Sequence, residues 1–177
     1  MNIIFLDFDG VINTYHNNSK DDIEKRIKIL SDICKKYNCK VVISSSIKEE
    51  IDEDMSTELV WVKGILELFK KYNVDCIGKT ENISKNISKY VTIPTWKEDE
   101  IRAYLLYHPE VEHYCVIDDD DMKVDLNKVR DHLVKTLFYS ENPDEEGLLY
   151  SYDEEIGKVL KKENKIRTML LKYMKKD

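Results

Sequence analysis

Ile3-Ile4-Phe5-Leu6 is a short, unbroken apolar run that starts two residues into the chain and stops at the acidic pair Asp7 and Asp9. Within Asn2 to Phe8 there is no polar alternation. Such a run predicts a strand buried on both faces, and that demands helices on both sides of a sheet. The rest of the chain alternates accordingly. Ser19 to Tyr37 reads as an amphipathic helix: Ser19 and Asp22 open it in the manner of a capping box, and Ile23, Ile27, Leu30, Ile33, Cys34 and Tyr37 mark one face. Lys40 to Ser44 predicts a second strand. Ser56 to Tyr72 predicts a second helix with Leu59, Val62, Ile65, Leu66 and Phe69 inward, and Val74 to Ile77 a third strand that Gly78 ends.

Thr95-Trp96-Lys97-Glu98 predicts the capped start of a third helix, running to about Tyr107 ahead of Pro109. Glu112 to Ile117 and His132 to Phe138 predict the fourth and fifth strands, and Tyr152 to Tyr173 a final helix. The expected fold is α/β and Rossmann-like: a mainly parallel five-stranded sheet with helices on both faces, in one domain spanning residues 1–177.

Composition limits the classes of function. Hydrophobic residues at 42% and charged residues at 36% describe an ordinary soluble globular chain. No apolar run approaches the roughly 18 to 20 residues of a membrane span. The N-terminus lacks the basic start and long apolar stretch of a signal peptide, so a cytoplasmic protein without membrane partners is expected. Cys34, Cys39, Cys76 and Cys115 form no C-x-x-C pair and read as reduced core thiols. A net charge of −7 argues against a broad basic face for nucleic acid, although residues 158 to 176 are strongly basic.

In open parallel sheets, sites form beyond the carboxyl ends of the strands. Asp7 and Asp9 follow the first strand on the same side of an extended chain, and Gly10 lets the backbone turn and approach a ligand closely. Two carboxylates so placed suit a hard cation such as Mg²⁺. Ser44-Ser45-Ser46 follows the second strand with hydroxyls and amides for an anionic oxygen group. Asp118-Asp119-Asp120-Asp121 follows the fourth strand, and Lys97 stands in the first turn of the third helix. Taken singly, a D-x-D pair, a serine triplet and an acidic run are common in loops. Their order, each at the carboxyl edge, carries the weight.

That order resembles the haloacid dehalogenase-like (HAD) superfamily, with Asp7 and Asp9 as its first motif, Ser44 as its second, Lys97 as its third and Asp118-Asp119 as its fourth. A narrower resemblance is to the HAD domains of Swiss Army knife RNA-repair proteins, through VVISSS, the W-K-E-D-E-I helix start, AYLLYHPEVEHYCVIDDDDM and Glu146-Gly147-Leu148. The motif spacing is also similar to the phosphatase domain of polynucleotide kinase-phosphatases.

The resemblance implies an Mg²⁺-dependent phosphatase. Asp7 would attack phosphorus, Asp9 would act as acid and base, and Ser44 and Lys97 would grip the phosphoryl oxygens. It implies a metal held by Asp7, the Asp9 carbonyl and a fourth-motif carboxylate, either Asp119 or Asp118. Asp119 is preferred, with Asp118 holding water or Lys97. Ser45 is the alternative to Ser44. Repair-type domains often carry Trp-Arg where this chain has Ile47-Lys48, and Arg at the position of Lys97; Lys lacks the bidentate grip of Arg on phosphate.

The segments between motifs leave room for little or no cap. An open site favours a bulky phosphoester, such as a polynucleotide end. A nucleotidase-like small-molecule phosphatase and a catalytically idle HAD-fold interaction module remain alternatives. His16 stands close enough to the first motif to touch substrate, or is an exposed loop residue.

Overall fold

The computed structural model describes residues 1–83, 96–122 and 129–174. Five strands, β1 (Asn2–Leu6), β2 (Cys39–Ile43), β3 (Cys76–Lys79), β4 (His113–Asp118) and β5 (Leu133–Lys135), form one sheet in the order β3-β2-β1-β4-β5. Each neighbouring pair is parallel. Five helices belong to the described residues: α1 (Lys20–Tyr37), α2 (Val60–Lys71), α3 (Lys97–Tyr107), α4 (Asp153–Val159) and α5 (Lys165–Met174).

The period of two in a strand divides the core in half. Ile4 and Leu6 of β1, Val41 and Ile43 of β2, and Cys115 and Ile117 of β4 face one side, packed with Ile27, Leu30, Val62, Phe69 and Ile156 of α1, α2 and α4. Ile3, Phe5, Val42, Tyr114 and Val116 face the other, packed with Ile101 and Leu105 of α3 and Ile166 of α5. The β1 residues Ile3 to Leu6 are fully buried, as a run without polar alternation requires.

The expected α/β sheet with helices on both faces is therefore present, and α1 starts where its cap places it. Ser19 Oγ accepts the Asp22 amide while the Asp22 carboxylate accepts the Ser19 amide, both at 3.2 Å. Asn38, in the left-handed region at φ 51°, ends the helix.

Several boundaries differ, some through local turns and some through distant partners. α2 starts at Val60 because 52–57 are spent on a turn, in which the Asp52 amide bonds the Ser56 carbonyl and Met55 takes φ 64°. Gly78 does not end β3; it lies inside it, paired with Val42. β5 stops at Lys135 because the next carbonyls are used elsewhere: Leu137 O accepts the Gly147 amide and Phe138 O accepts the Tyr15 amide. The expected final helix is two helices. Asn164, only 4% exposed, interrupts it by accepting the Arg167 amide at 3.1 Å and donating to the Val111 carbonyl at 2.9 Å.

Thr95 of the expected capping box lies outside the described residues; at α3 the Asp99 carboxylate accepts the Trp96 amide at 3.4 Å. Trp61 and Trp96 keep 43% and 42% of their surface exposed. Burial pushes the Cys34, Cys39 and Cys76 thiols up to about 12, which makes them poor nucleophiles. Among the described residues no helix is long and apolar enough to cross a membrane.

Candidate active site

The sheet order puts β1 at the centre, with the chain leaving it toward β2 on one side and β4 on the other. The crevice beyond the carboxyl ends of β1 and β4 is the place such a topology opens for a ligand. Asp7 follows β1 and is 6% exposed, its amide held by the Ile117 carbonyl at 3.1 Å. Asp118 is the last residue of β4 and 1% exposed. Lys97, the first residue of α3, reaches over both: its Nζ lies 2.5 Å from Asp118 Oδ2 and 3.4 Å from Asp7 Oδ1. The other Asp118 oxygen accepts the Asp120 amide at 2.9 Å.

Asp119 comes next in the chain and bears on the loop after β1. Gly10 there has φ +76°, and a Cβ built on it would lie 2.2 Å from Asp119 Cγ. Only glycine takes that φ without cost, and only glycine leaves room for that carboxylate. Gly10→Ala is therefore expected to displace Asp119 while leaving the core intact. Thermal unfolding of the variant should be lowered by roughly 1 kcal/mol or a little more.

Among the described residues, one oxygen each of Asp7, Asp118 and Asp119 lie within 4.8 Å of one another. Three carboxylates so close, two of them buried, are a donor set suited to a hard divalent cation. The charges at the site report the same crowding. Burial pushes Asp7 up to about 6 against the pull of Lys97, and the Asp118 charge adds to the rise; hydrogen bonds from Ser45 and the Phe8 backbone work the other way. Asp119 is raised by burial and by Asp118. Burial works against the Lys97 charge, but Asp7 and Asp118 outweigh it and raise its pKa.

Asp9 stands apart from this cluster. It is exposed, in a tight loop where Phe8 O accepts the amides of Ile12 and Asn13, and Asn13 Nδ2 donates to Asp9 Oδ1 at 3.0 Å. Ser44 continues the register opposite Asp7, with its amide on Leu6 O at 2.9 Å. Its Oγ is fully buried and has no hydrogen-bond partner among the described residues, whereas Ser45 is the serine bonded to Asp7.

Lys48, the residue where repair-type domains often have Arg, is not aimed at the crevice. It is 6% exposed and paired with Glu100 of α3. The pair ties the segment after the serines to the helix that carries Lys97. The hollow beside Lys97, lined by Trp96, Lys97, Asp118 and Met122, measures only about 60 Å³. A larger one, about 390 Å³ between Asn17, Arg26, Pro143 and Leu149, contains none of the motif residues.

Residues 3–140 match the HAD domain in Swiss Army Knife RNA repair proteins. The chain belongs to this family. Comparison with curated proteins finds no match, and comparison with solved structures finds none either. HAD domains are phosphatases or enzymes of related activity and generally use Mg²⁺. In this HAD domain the carboxyl edge brings Asp7, Lys97, Asp118 and Asp119 together, sets Ser44 and Ser45 beside Asp7, and holds Asp9 on the adjoining loop.

Two further residues of this HAD domain were missed by motif reading. Arg26 of α1 is 5% exposed and donates to the Ile12, Asn17 and Glu146 carbonyls and to Thr14 Oγ1. Glu146 is fully buried and accepts the His16 amide at 3.0 Å, the His16 ring at 2.6 Å and the Ser140 amide at 3.1 Å. Burial opposes its charge, yet these hydrogen bonds hold its carboxyl down at about 2. The one legible signal was Glu146-Gly147: a Cβ on Gly147, at φ +72°, would lie 2.4 Å from Arg26 Nε. Arg26→Leu is expected to cost about 3 kcal/mol or more in urea unfolding, because four acceptors lose their donor at once.

Proposed function

We propose that this protein is an Mg²⁺-dependent phosphatase that hydrolyses a phosphomonoester through an aspartyl-phosphate on Asp7, with a nucleic-acid end as its substrate. The observation that carries the reading is the junction of Asp7, Lys97, Asp118 and Asp119 at one strand edge, with Asp9 two residues beyond the nucleophile.

A carboxylate oxygen of Asp7 attacks phosphorus as the bond to the leaving oxygen breaks, and Asp9 delivers its proton to that oxygen. Asp9 then takes a proton from water, whose oxygen attacks phosphorus and releases Asp7. Lys97 binds the phosphoryl oxygens, with Ser44 or Ser45, and lowers their repulsion of the carboxylate nucleophile. Asp118 orients Lys97, since its two oxygens are already taken by Lys97 and the Asp120 amide. Asp7, Asp119 and the Asp9 carbonyl would hold Mg²⁺, which when bound supplies charge neutralisation at the transferring group.

The small hollow and the absence, among the described residues, of an inserted domain over the crevice favour a bulky substrate that extends into solvent. The family description, which names RNA repair, favours a polynucleotide end. Free cysteines suit a cytoplasmic setting.

The test is hydrolysis of an aryl phosphate with and without Mg²⁺, followed by a panel of 3′- and 5′-phosphorylated oligonucleotides, nucleotides and phosphopeptides. Mg²⁺-dependent turnover with oligonucleotide preference is expected. Metal-independent turnover would overturn the mechanism, and equal rates across the panel would overturn the substrate.

A further inference from the structure

Beside the catalytic loop stands a patch of exposed rings that the phosphoryl chemistry does not use. Tyr15 is 59% exposed and Tyr139 55%, with Phe138 and Leu137 each at 39%. The rings touch one another: Tyr15 lies 5.3 Å from Tyr139 and 6.2 Å from Phe138, both edge to face, and His16 lies 5.3 Å from Tyr139. Leaving this much aromatic surface in water forfeits burial energy, so a contiguous patch of it calls for a partner.

The patch is built on the site. Tyr15 is two residues past Asn13, which holds Asp9. Its amide bonds the Phe138 carbonyl, and just past β5 the Thr136 hydroxyl donates to Gly10 O at 2.7 Å while the Thr136 amide bonds Asp118 O at 2.9 Å. The segments after β1 and β5 are thus joined to each other and to both acidic motifs. Arg26 and Glu146 hydrogen-bond to residues of both segments. Burying two charges is expensive unless every bond is satisfied, and here both are spent on fixing the loops that present these rings.

From this we infer that Tyr15 and Tyr139 form a stacking subsite for the unpaired nucleobase of the leaving nucleoside, deepening the phosphatase reading given above. Asp9, the group that meets the leaving oxygen, lies on the same loop, so the body of the leaving alcohol extends toward these rings. The surroundings select what it is. Glu141, Asp144 and Glu145, all exposed in the segment that follows Tyr139, offer no positive charge to hold a phosphate, so a neutral base is the group these rings can take. The chain's net charge of −7 supplies little attraction for a polyanion, which leaves stacking as the source of affinity.

The experiment measures binding and turnover separately. Titration calorimetry with the unphosphorylated trinucleotide ApApA is run on the wild type and on Tyr15→Ala, Tyr139→Ala and the two Tyr→Phe variants, at low and moderate salt. Hydrolysis of 3′- and 5′-phosphorylated ApApA, glycerol phosphate and a phosphotyrosine peptide is measured in parallel. Each alanine variant is expected to weaken ApApA binding about tenfold to hundredfold and raise KM for phosphorylated ApApA alike. Glycerol phosphate turnover and thermal unfolding stay within twofold and about a degree of wild type, the phenylalanine variants retain binding, and salt changes the affinity little.

Unchanged ApApA binding in the alanine variants, no binding by the wild type, or an effect confined to the phosphopeptide would overturn the subsite. If the alanine variants lose ApApA binding while the wild type hydrolyses no phosphoester, the subsite stands and the phosphatase reading falls.

Discussion

Asp7→Asn is expected to abolish phosphoester hydrolysis and, in the same molecule without metal, to raise stability. In the proposed mechanism loss of Asp7 removes the covalent step, and a fall of at least about a thousandfold in kcat is expected with aryl phosphate under saturating Mg²⁺. The stability gain follows from the raised pKa. Burial holds Asp7 at about 6 against an ordinary 3.8. Between those values the folded chain keeps a proton that the unfolded chain has released. The metal-free protein therefore loses stability as pH rises through that window and does not regain it above.

At about 1.4 kcal/mol per pH unit the full span is on the order of 3 kcal/mol. Asparagine has no charge to bury, so in EDTA at pH 7.5 the variant should melt several degrees above wild type, and the advantage should vanish below about pH 4. Mg²⁺ should reverse the order by stabilising the wild type alone. A variant that is inactive but equally or less stable at pH 7.5 in EDTA would show that Asp7 is not a buried charge awaiting a cation.

Lys97→Met is expected to do the opposite to stability. Lys97 is the cation shared by Asp7 and Asp118, at 3.4 and 2.5 Å, and Asp118 is 1% exposed. Its removal leaves two buried carboxylates facing each other, which should cost about 3 kcal/mol in urea unfolding at pH 7.5 in EDTA. The loss should shrink toward pH 5, where Asp7 in the variant takes up a proton. Catalysis should fall about a hundredfold to a thousandfold, with Lys97→Arg recovering much of it, because the phosphoryl oxygens lose a fixed positive charge. A Lys97→Met protein as stable as wild type at both pH values would mean that the ion pairs are not maintained in solution. The contrast is informative: one substitution removes a carboxylate from the cluster, the other its counter-charge, and only a real cluster makes their stabilities move apart.

How much of this was legible without coordinates depended on whether the signal was local. The apolar run of β1, the Ser19–Asp22 capping box and the face of α1 are properties of neighbours in the chain, and each element formed where those residues set it. The five-stranded α/β sheet follows from their alternation, since a strand apolar on both sides has to be covered on both sides. The motifs were legible for the same reason: each sits at a strand end or a helix start, and the parallel sheet gathers such ends along one edge. At the last boundary misjudged a distant partner had intervened, the Val111 carbonyl at Asn164.

The residue pattern alone thus determined the layered α/β architecture and the acidic edge on which Asp7 and Asp9 stand. Only the tertiary structure decided the division of labour along that edge. It gave Lys97 and the Asp120 amide to Asp118, pressed Asp119 against Gly10, turned Lys48 away toward Glu100, and left Ser44 Oγ buried without a partner among the described residues while Ser45 bonds Asp7. It also buried Arg26 and Glu146, 120 residues apart, bonded to each other and to the segments that carry Tyr15 and Tyr139. The reason is physical: hydrogen bonds and charge pairs depend on distances of a few ångströms between segments remote in the chain. Local pattern carries no record of those distances until the sheet and its helices bring the segments together.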